Sequence, residues 1–340
     1  MSTVRYYFMG IGKLCLQYGI FIVAIALTAC SKTVNVIIPA QSQQVVVDGS
    51  IEYNSPPIIL LSESQQFFGT TNLNNLGAYF IHGAKVKVTG SDGTSIQLQE
   101  FCLADLHLPA AQQQQVLSVL GYTSVDSVNS LNICAYTVPD IVNFFTTGTC
   151  SYMGKQKTGY TLDVMSPPIY SGQHDSIHVT ASTTIPTAIG IDSLVIRPDT
   201  DPKYVDSFSS VYVYVTIPDT FGNFVRYLTK EANQPFYPPP GGSVYDDKLF
   251  VGLTIDLPLE RGQSPDQSVN INNTTYFYRK DTMTLKWSNI DATTFNFWNT
   301  LESDGGNSPF SSPVKIVGNV NNGLGCFAGY ATKYYSIYVP

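Results

Sequence analysis

From Gln44 onward the chain is organised by alternation. In VVVDGSIEY (45–53), GYTLDVM (159–165), SSVYVYVTI (209–217) and NFVRYLTK (223–230), apolar side chains recur at every second position. That is the period of a strand with one buried face. PPIILLSES (56–64), KLFVGLTIDL (248–257), TTYFYRK (274–280) and TMTLKWSNI (282–290) also read as strands, bounded by Gly, Pro, Asp or Asn. AKVKVTGSDGTSIQLQEF (84–101) reads as a hairpin, two alternating runs joined by Gly90-Ser91-Asp92-Gly93.

Two stretches break the period. PAAQQQQVLSVL (109–120) predicts a short helix with Pro at its start and Gly121 beyond its end. It lies in a segment, 103–149, that reads as an insertion between two strands. DATTFNFWNTLE (291–302) predicts a second helix, with Asp291 as N-cap and Phe295, Trp298 and Leu301 as its buried stripe. STTIPTAIGIDSL (182–194) reads as a crossing between domains. The expected fold is all-β, with two β-sandwich domains of immunoglobulin or transthyretin type over 45–187 and 188–340. The first carries the helical insertion and the second carries one helix.

The first 44 residues follow another rule. Arg5 and Lys13 precede GIFIVAIALTA (19–29), an uncharged, mostly apolar run of eleven residues. A spanning helix needs ~20 such residues, so this run is too short. A positive segment, a short apolar segment and small residues before a cut mark a secretory signal over residues 1–29. Leu27-Thr28-Ala29-Cys30 resembles the bacterial lipobox. That likeness implies cleavage before Cys30 and acylation of the cysteine with fatty chains such as palmitate. Two or more acyl chains anchor a protein stably. Residues 30–44 then form a lipidated tether.

Charge and cysteine content sharpen this. The chain has 18 basic and 25 acidic residues; loss of Arg5 and Lys13 with the leader takes the net charge from −7 to −9. Such a balance argues against nucleic acid or an anionic membrane surface as partner. Cys102, Cys134, Cys150 and Cys326 remain after Cys30, with no C-x-x-C spacing and no nearby histidine pair. An exported chain accommodates disulfides, so at least one bridge is expected among Cys102, Cys134 and Cys150, the pairing left open. Cys326, in the apolar run GLGCFAGY, is expected to be a buried free thiol.

Candidate chemistry is sparse. The chain has no H-E-x-x-H, G-x-S-x-G or G-x-G-x-x-G motif. GTCSYMGK (148–155) has five residues between its glycines where a phosphate loop has four, and Gln156 where that loop has a hydroxyl. His174 and His178 in HDSIH would sit ~13 Å apart along a strand, too far to share an ion. Glu302, Asp304 and Asn307 around Gly305-Gly306 offer oxygen ligands, but a solvated helix exit explains them as well. Asn319, Asn321, Asn322 and Gly323 fit a tight hairpin closing the second domain. No catalytic residue, metal or cofactor is expected. The proline-rich loop NQPFYPPPGGSVYDD (233–247) is the most exposed-looking aromatic segment, so Phe236, Tyr237 and Tyr245 are its candidate partner-binding residues.

The lipobox start, VVVDGSIEYNSPPIILLSES, GYTLDV, the TTIP-to-IDSL junction, VYDD and above all NSPFSSPVKIVGNVNNGLGCFAGY (307–330) resemble one family. It is the Bacteroidota lipoprotein family known as domain of unknown function 4249. The resemblance implies an exported, mostly β lipoprotein, often encoded beside a TonB-dependent outer-membrane receptor, with no established catalytic residues. It points to a non-catalytic binding accessory of such a receptor at the outer membrane. The alternative is a surface structural, adhesion or glycan-binding lipoprotein. It also implies O-glycosylation at Asp-Ser/Thr followed by a small or aliphatic residue, which makes Ser127, Ser176, Ser193 and Thr282 candidates. The first acid after Cys30 is Asp48, which departs from the acidic start associated with surface export; the aromatic, low-charge body favours the cell surface.

Replacing Cys30 with Ala is expected to abolish acylation and change membrane fractionation. Metabolic labelling with a palmitate analogue checks this; a variant that keeps its label and its membrane association would rule out the anchor.

Overall fold

The computed structural model describes residues 42–65, 77–102, 133–170, 174–198, 207–232, 234–264, 274–303 and 315–340. The leader with Cys30, the 109–120 helix, Ser127, Asp304 and Asn307 lie outside them. Residues 42–340 form one compact unit. In chain order its strands begin with β1 (Val45–Glu52), β2 (Ile58–Glu63), β3 (Lys85–Gly90), β4 (Ser95–Cys102) and β5 (Cys134–Thr137). Helix α1 (Ile141–Thr147) follows, then β6 (Thr158–Ser166), β7 (Ile177–Ile185), β8 (Ser193–Pro198), β9 (Phe208–Thr216) and β10 (Phe224–Glu231). The chain ends with β11 (Val244–Asp246), β12 (Thr254–Pro258), β13 (Tyr276–Tyr278), β14 (Asp281–Ile290), α2 (Ala292–Ser303), β15 (Val320–Asn321) and β16 (Leu324–Val339). The fold is all-β, as the alternation predicts. No helix of the described residues is long and apolar enough to cross a membrane.

One sheet of twelve strands runs β11-β10-β14-β16-β1-β2-β5-β4-β3-β6-β7-β15. A second sheet is built on β9, which pairs with β8 along one edge and with β12 and β13 along the other. The long sheet wraps around a first apolar cluster that includes Val47, Ile51, Ile59, Leu61, Leu162, Ile185 and Phe327. It returns on itself, because β15 pairs with β7 and leads through a turn into β16. The hairpin expected at 319–323 therefore forms, but it rests on β7 and β1 of the first cluster. Asn322 adopts φ +59 in its turn. Asn319 accepts a hydrogen bond from Phe327 N (2.8 Å) and donates to Phe327 O (2.7 Å) and Ser182 O (2.8 Å). Its amide stands in for a strand partner that β16 lacks at that point.

The second cluster lies between the end of the long sheet and the β9 sheet. Val211, Val213 and Val215 of β9 face Val225 and Tyr227 of β10 and Met283, Leu285 and Trp287 of β14. Burial alternates strictly along β9 and β10, as their sequences require.

Strand β16 belongs to both clusters. Residues 324–330 pair in parallel with β1, and 330–339 pair antiparallel with β14. Residues 326–331 are all buried. On one face Phe327 and Ala331 enter the first cluster; on the other Cys326, Ala328 and Tyr330 lie beneath Phe295 and Phe297 of α2. A strand covered on both faces loses its alternation, which is why GLGCFAGY reads as a continuous apolar run.

Two local readings are modified, and the expected disulfide forms. Cys134–Thr137, inside the presumed insertion, is a strand between β2 and β4. Cys102 and Cys134 form the disulfide across the β4–β5 pair, leaving Cys150 half-buried and Cys326 buried as free thiols. In α2 the Asp291 cap is confirmed: one carboxylate oxygen accepts from Thr294 N (2.8 Å), the other from Thr184 N (2.7 Å) and Thr183 Oγ1 (2.9 Å). The stripe is shifted, however, since Leu301 is exposed and Phe297 turns inward. The last turn of α2 is fastened by polar groups instead: Glu302 accepts from Ser243 N (2.6 Å) and Oγ (2.5 Å).

Gly325 has φ +97, and a Cβ there would collide with the Val47 carbonyl oxygen. Gly222 has φ +95 with nothing within 4 Å. Gly222→Ala should therefore cost only the left-handed backbone, about 1–2 kcal/mol. Gly325→Ala, which also pushes β1 from β16, should cost more than about 3 kcal/mol. Urea denaturation of the two variants measures the difference; equal losses would contradict the packing described.

Candidate functional site

Strand alternation sends Val213 and Val215 of β9, Ile255 and Leu257 of β12, and Val225 and Tyr227 of β10 into the space between the two sheets. The side chains do not fill it. A cavity of about 340 Å³ remains, with Trp287 and Asn289 of β14 on one wall and Pro218, Tyr245, Asp247 and Phe250 toward its mouth. Ligand pockets begin at roughly this size, about 300 Å³.

Three aromatic rings line one side. Trp287 stacks on Tyr227 with centroids 6.5 Å apart, and Tyr227 stacks on Tyr245 at 5.6 Å. The Tyr227 hydroxyl accepts from Glu260 N (3.1 Å), and burial pushes its pKa well above the ordinary value, so it stays neutral. The Tyr245 hydroxyl donates to Gly242 O (3.2 Å), and Asn289 Oδ1 accepts from Ile189 N (2.7 Å). Among the described residues, the buried indole N–H of Trp287 has no hydrogen-bond partner.

Two turns form the mouth, 217–223 and 247–253. Ile217 N donates to Leu253 O (2.9 Å) and Phe250 N to Asp247 O (2.9 Å). Asp247 ties the turns together: its carboxylate accepts from Gly222 N (3.1 Å), Asn223 N (3.0 Å) and Asn223 Nδ2 (2.7 Å). The same turns expose Phe221 (78%), Leu249 (81%) and Leu253 (52%), an apolar rim that KLFVG, read as strand, does not announce.

The sequence-derived candidates scatter. Tyr245 is at the cavity. Phe236 is on the opposite face of the sheet, its ring 5.8 Å from Tyr334 and 5.0 Å from Lys230 Nζ. Tyr237 is pinned by paired backbone bonds to Thr229 (3.0 and 3.1 Å). Thus the 233–247 loop is not one exposed aromatic surface. Ser176, Ser193 and Thr282 are exposed. His178 pairs with Asp163 at 2.9 Å, and His174 precedes the start of β7.

A second, polar cavity of about 210 Å³ lies under α2, where β1, β10, β14 and β16 meet. Its two basic groups are engaged. Lys286 pairs with Glu52 at 2.9 Å, and the Arg226 guanidinium lies 3.4 Å from the Trp298 ring centre. Trp298 Nε1 donates to Tyr330 Oη at 2.9 Å. Burial pushes the Cys326 thiol up to about 12, which suppresses the thiolate a nucleophile requires. His82, Glu100, Cys102 and Cys134 form the one metal-like cluster among the described residues, but the disulfide occupies both sulfurs.

The Asp247 carboxyl is held below its ordinary 3.8: burial alone would raise it, and the bonds from Asn223 and Gly222 outweigh burial. A depressed carboxylate contributes fully above its unfolded value, and that contribution is lost as pH falls through the folded one. Asp247→Asn should lower stability by about 1–3 kcal/mol at pH 7. The gap to the parent should narrow below pH 3.8, as the parent's own carboxyl protonates. Thermal melts across pH 3–7 test this; a gap independent of pH would contradict the assignment.

Comparison with known proteins places the chain. A family model described as domain of unknown function, DUF4249, matches residues 32–336. No curated protein and no solved structure matches it. The match spans all sixteen strands of the described residues but the end of β16, and the protein is therefore a member of the DUF4249 family.

Proposed function

We propose that the protein is a lipoprotein anchored to the outer membrane through acylated Cys30, leaning to the cell surface, and that it acts by binding as an accessory of a TonB-dependent receptor. It has no catalysis of its own in this reading. The observation that carries it is the apolar cavity of the second cluster, opening between turns that expose Phe221, Leu249 and Leu253. A concave apolar site with few polar groups is the usual form of a ligand pocket, and exposed apolar rims are the usual form of a partner contact. The short apolar leader and the lipobox support the anchor, and the family resemblance supports the receptor partnership. O-glycosylation at Ser176, Ser193 and Thr282 fits their exposure. Direct glycan binding is the alternative, favoured by Tyr334 and Tyr338, which are exposed on one face of β16.

A pull-down of the tagged full chain from solubilised outer membrane should bring down a TonB-dependent receptor, and Leu249→Asp should reduce the yield at least fivefold. Recovery of glycan-bearing material without any receptor would favour the alternative.

A further inference from the structure

The space behind the apolar rim is shaped and charged for one kind of molecule. Protein interiors leave few voids larger than one water, and this one measures about 340 Å³. A cavity of ~150 Å³ lined by Leu, Ile and Phe stays dry and takes up benzene. The present cavity is about twice that size, walled by Val213, Val215, Ile255 and Leu257 against the aromatic rings. By that measure it holds an apolar body of about a dozen carbons.

Its mouth has a sign. Among the described residues, no lysine, arginine or histidine lines the cavity, and its two charged lining residues, Asp246 and Asp247, are both acids. Lys248 neutralises Asp246 at 2.8 Å. Asp247 is held below its ordinary value and is ionised at neutral pH. Its three donors, Gly222 N, Asn223 N and Asn223 Nδ2, are all neutral, so they fix the carboxylate without cancelling its charge. Asp219, exposed on the neighbouring turn, lies beside Gly252. Neither Asp219 nor Asp247 forms an ion pair among the described residues. The turns 217–223 and 246–253 thus carry Asp219, Asp246, Asp247 and Lys248, a net charge of −2. An anion is repelled from this mouth and a cation is attracted, the more so beside low-dielectric apolar walls that focus the field. Tyr245, 42% exposed at the same edge, adds an electron-rich ring suited to a cation.

We infer that the cavity between β9–β12 and β10–β14 binds a cationic amphiphile, its apolar body inside and its ammonium group at the mouth in the field of Asp247 and Asp219. This rests on the binding role of the cavity and adds the class of its ligand. Phe221, Leu249 and Leu253 frame the opening through which the apolar body enters. The ammonium stays at the edge, where water still reaches it, so no charge has to be buried.

Equilibrium dialysis of the full chain in phosphatidylcholine nanodiscs, with empty nanodiscs as blank, tests it. The probes are 4-phenylbutylamine, 4-phenylbutan-1-ol and 4-phenylbutanoate, one apolar skeleton with three head charges. The amine should bind saturably and about fivefold or more tighter than the alcohol, the attraction of a nearby carboxylate at a protein surface. The carboxylate probe should bind weakest. Asp247→Asn should bring amine and alcohol within about twofold of each other. Asp219→Asn, at an exposed side chain, should lower the amine preference about twofold, and it decides in place of Asp247→Asn should that variant not fold. Ile255→Trp, which fills the cavity from a half-buried position, should weaken all three probes. Five results would overturn the inference: no saturable binding, an alcohol that binds as tightly as the amine, a carboxylate probe that binds tighter than the alcohol, an amine preference unchanged in the deciding variant, or parental affinities in folded Ile255→Trp. Probe binding without receptor recovery would refute the receptor role and keep the cavity assignment; receptor recovery without probe binding would do the reverse.

Discussion

The double pairing of β16 is the constraint on which the rest depends. Its first half completes the sheet around the first cluster by pairing with β1, and its second half forms the floor of the second cluster by pairing with β14. Tyr330 is the changeover, opposite Glu52 on one side and Ile290 on the other. Side contacts reinforce the same line. Lys286 of β14 reaches Glu52 of β1, and Asp291 binds β7 while capping α2. The two clusters cannot be separated without breaking a continuous strand. Their relative position, and with it the wall of the cavity, is set by backbone hydrogen bonds rather than by a soft interface.

The two cavities show opposite uses of the same sheet. Under α2, the partly buried Lys286–Glu52 pair and the Arg226–Trp298 contact brace the space around Tyr330. Breaking one partner of such a buried pair is costly, which makes this region a rigid joint. Between the sheets, charge is kept to the mouth and the interior is largely apolar. The first region holds shape and the second leaves room.

Strands whose two faces see different media were legible in the sequence. Val211, Val213 and Val215, or Tyr160, Leu162 and Val164, announce their buried side by period alone. The Asp291 cap was legible for the same reason, because the bond to Thr294 is local. Features made by distant segments were not. Strand β5 has four residues, too few to show a period, and is recruited by β2 and β4. The Cys102–Cys134 pairing follows from that recruitment, so the spacing of the cysteines alone left it open. Leu301 reads as core by helical spacing, but the last turn of α2 is held by Glu302 on Ser243 and has no need of it. Phe236 and Tyr245 are near neighbours in sequence, yet they lie on opposite faces of a sheet. The cavity draws its walls from β9, β10, β12, β14 and two turns, so no stretch of sequence contains its signal.

The parallel pairing of β1 with β16 also has a mechanical meaning. Residue 42 leads directly into β1, so tension applied from the N-terminal side runs along the axis of that strand. Its hydrogen bonds to β16 and β2 lie across the pull and are loaded together in shear, where a hairpin pulled at its ends would unzip bond by bond. The partner that resists is the last strand of the chain, itself continuous with the floor of the second cluster. A body tethered at this end would transmit a tug from its attachment point into both halves at once and keep its cavity in shape while held under load.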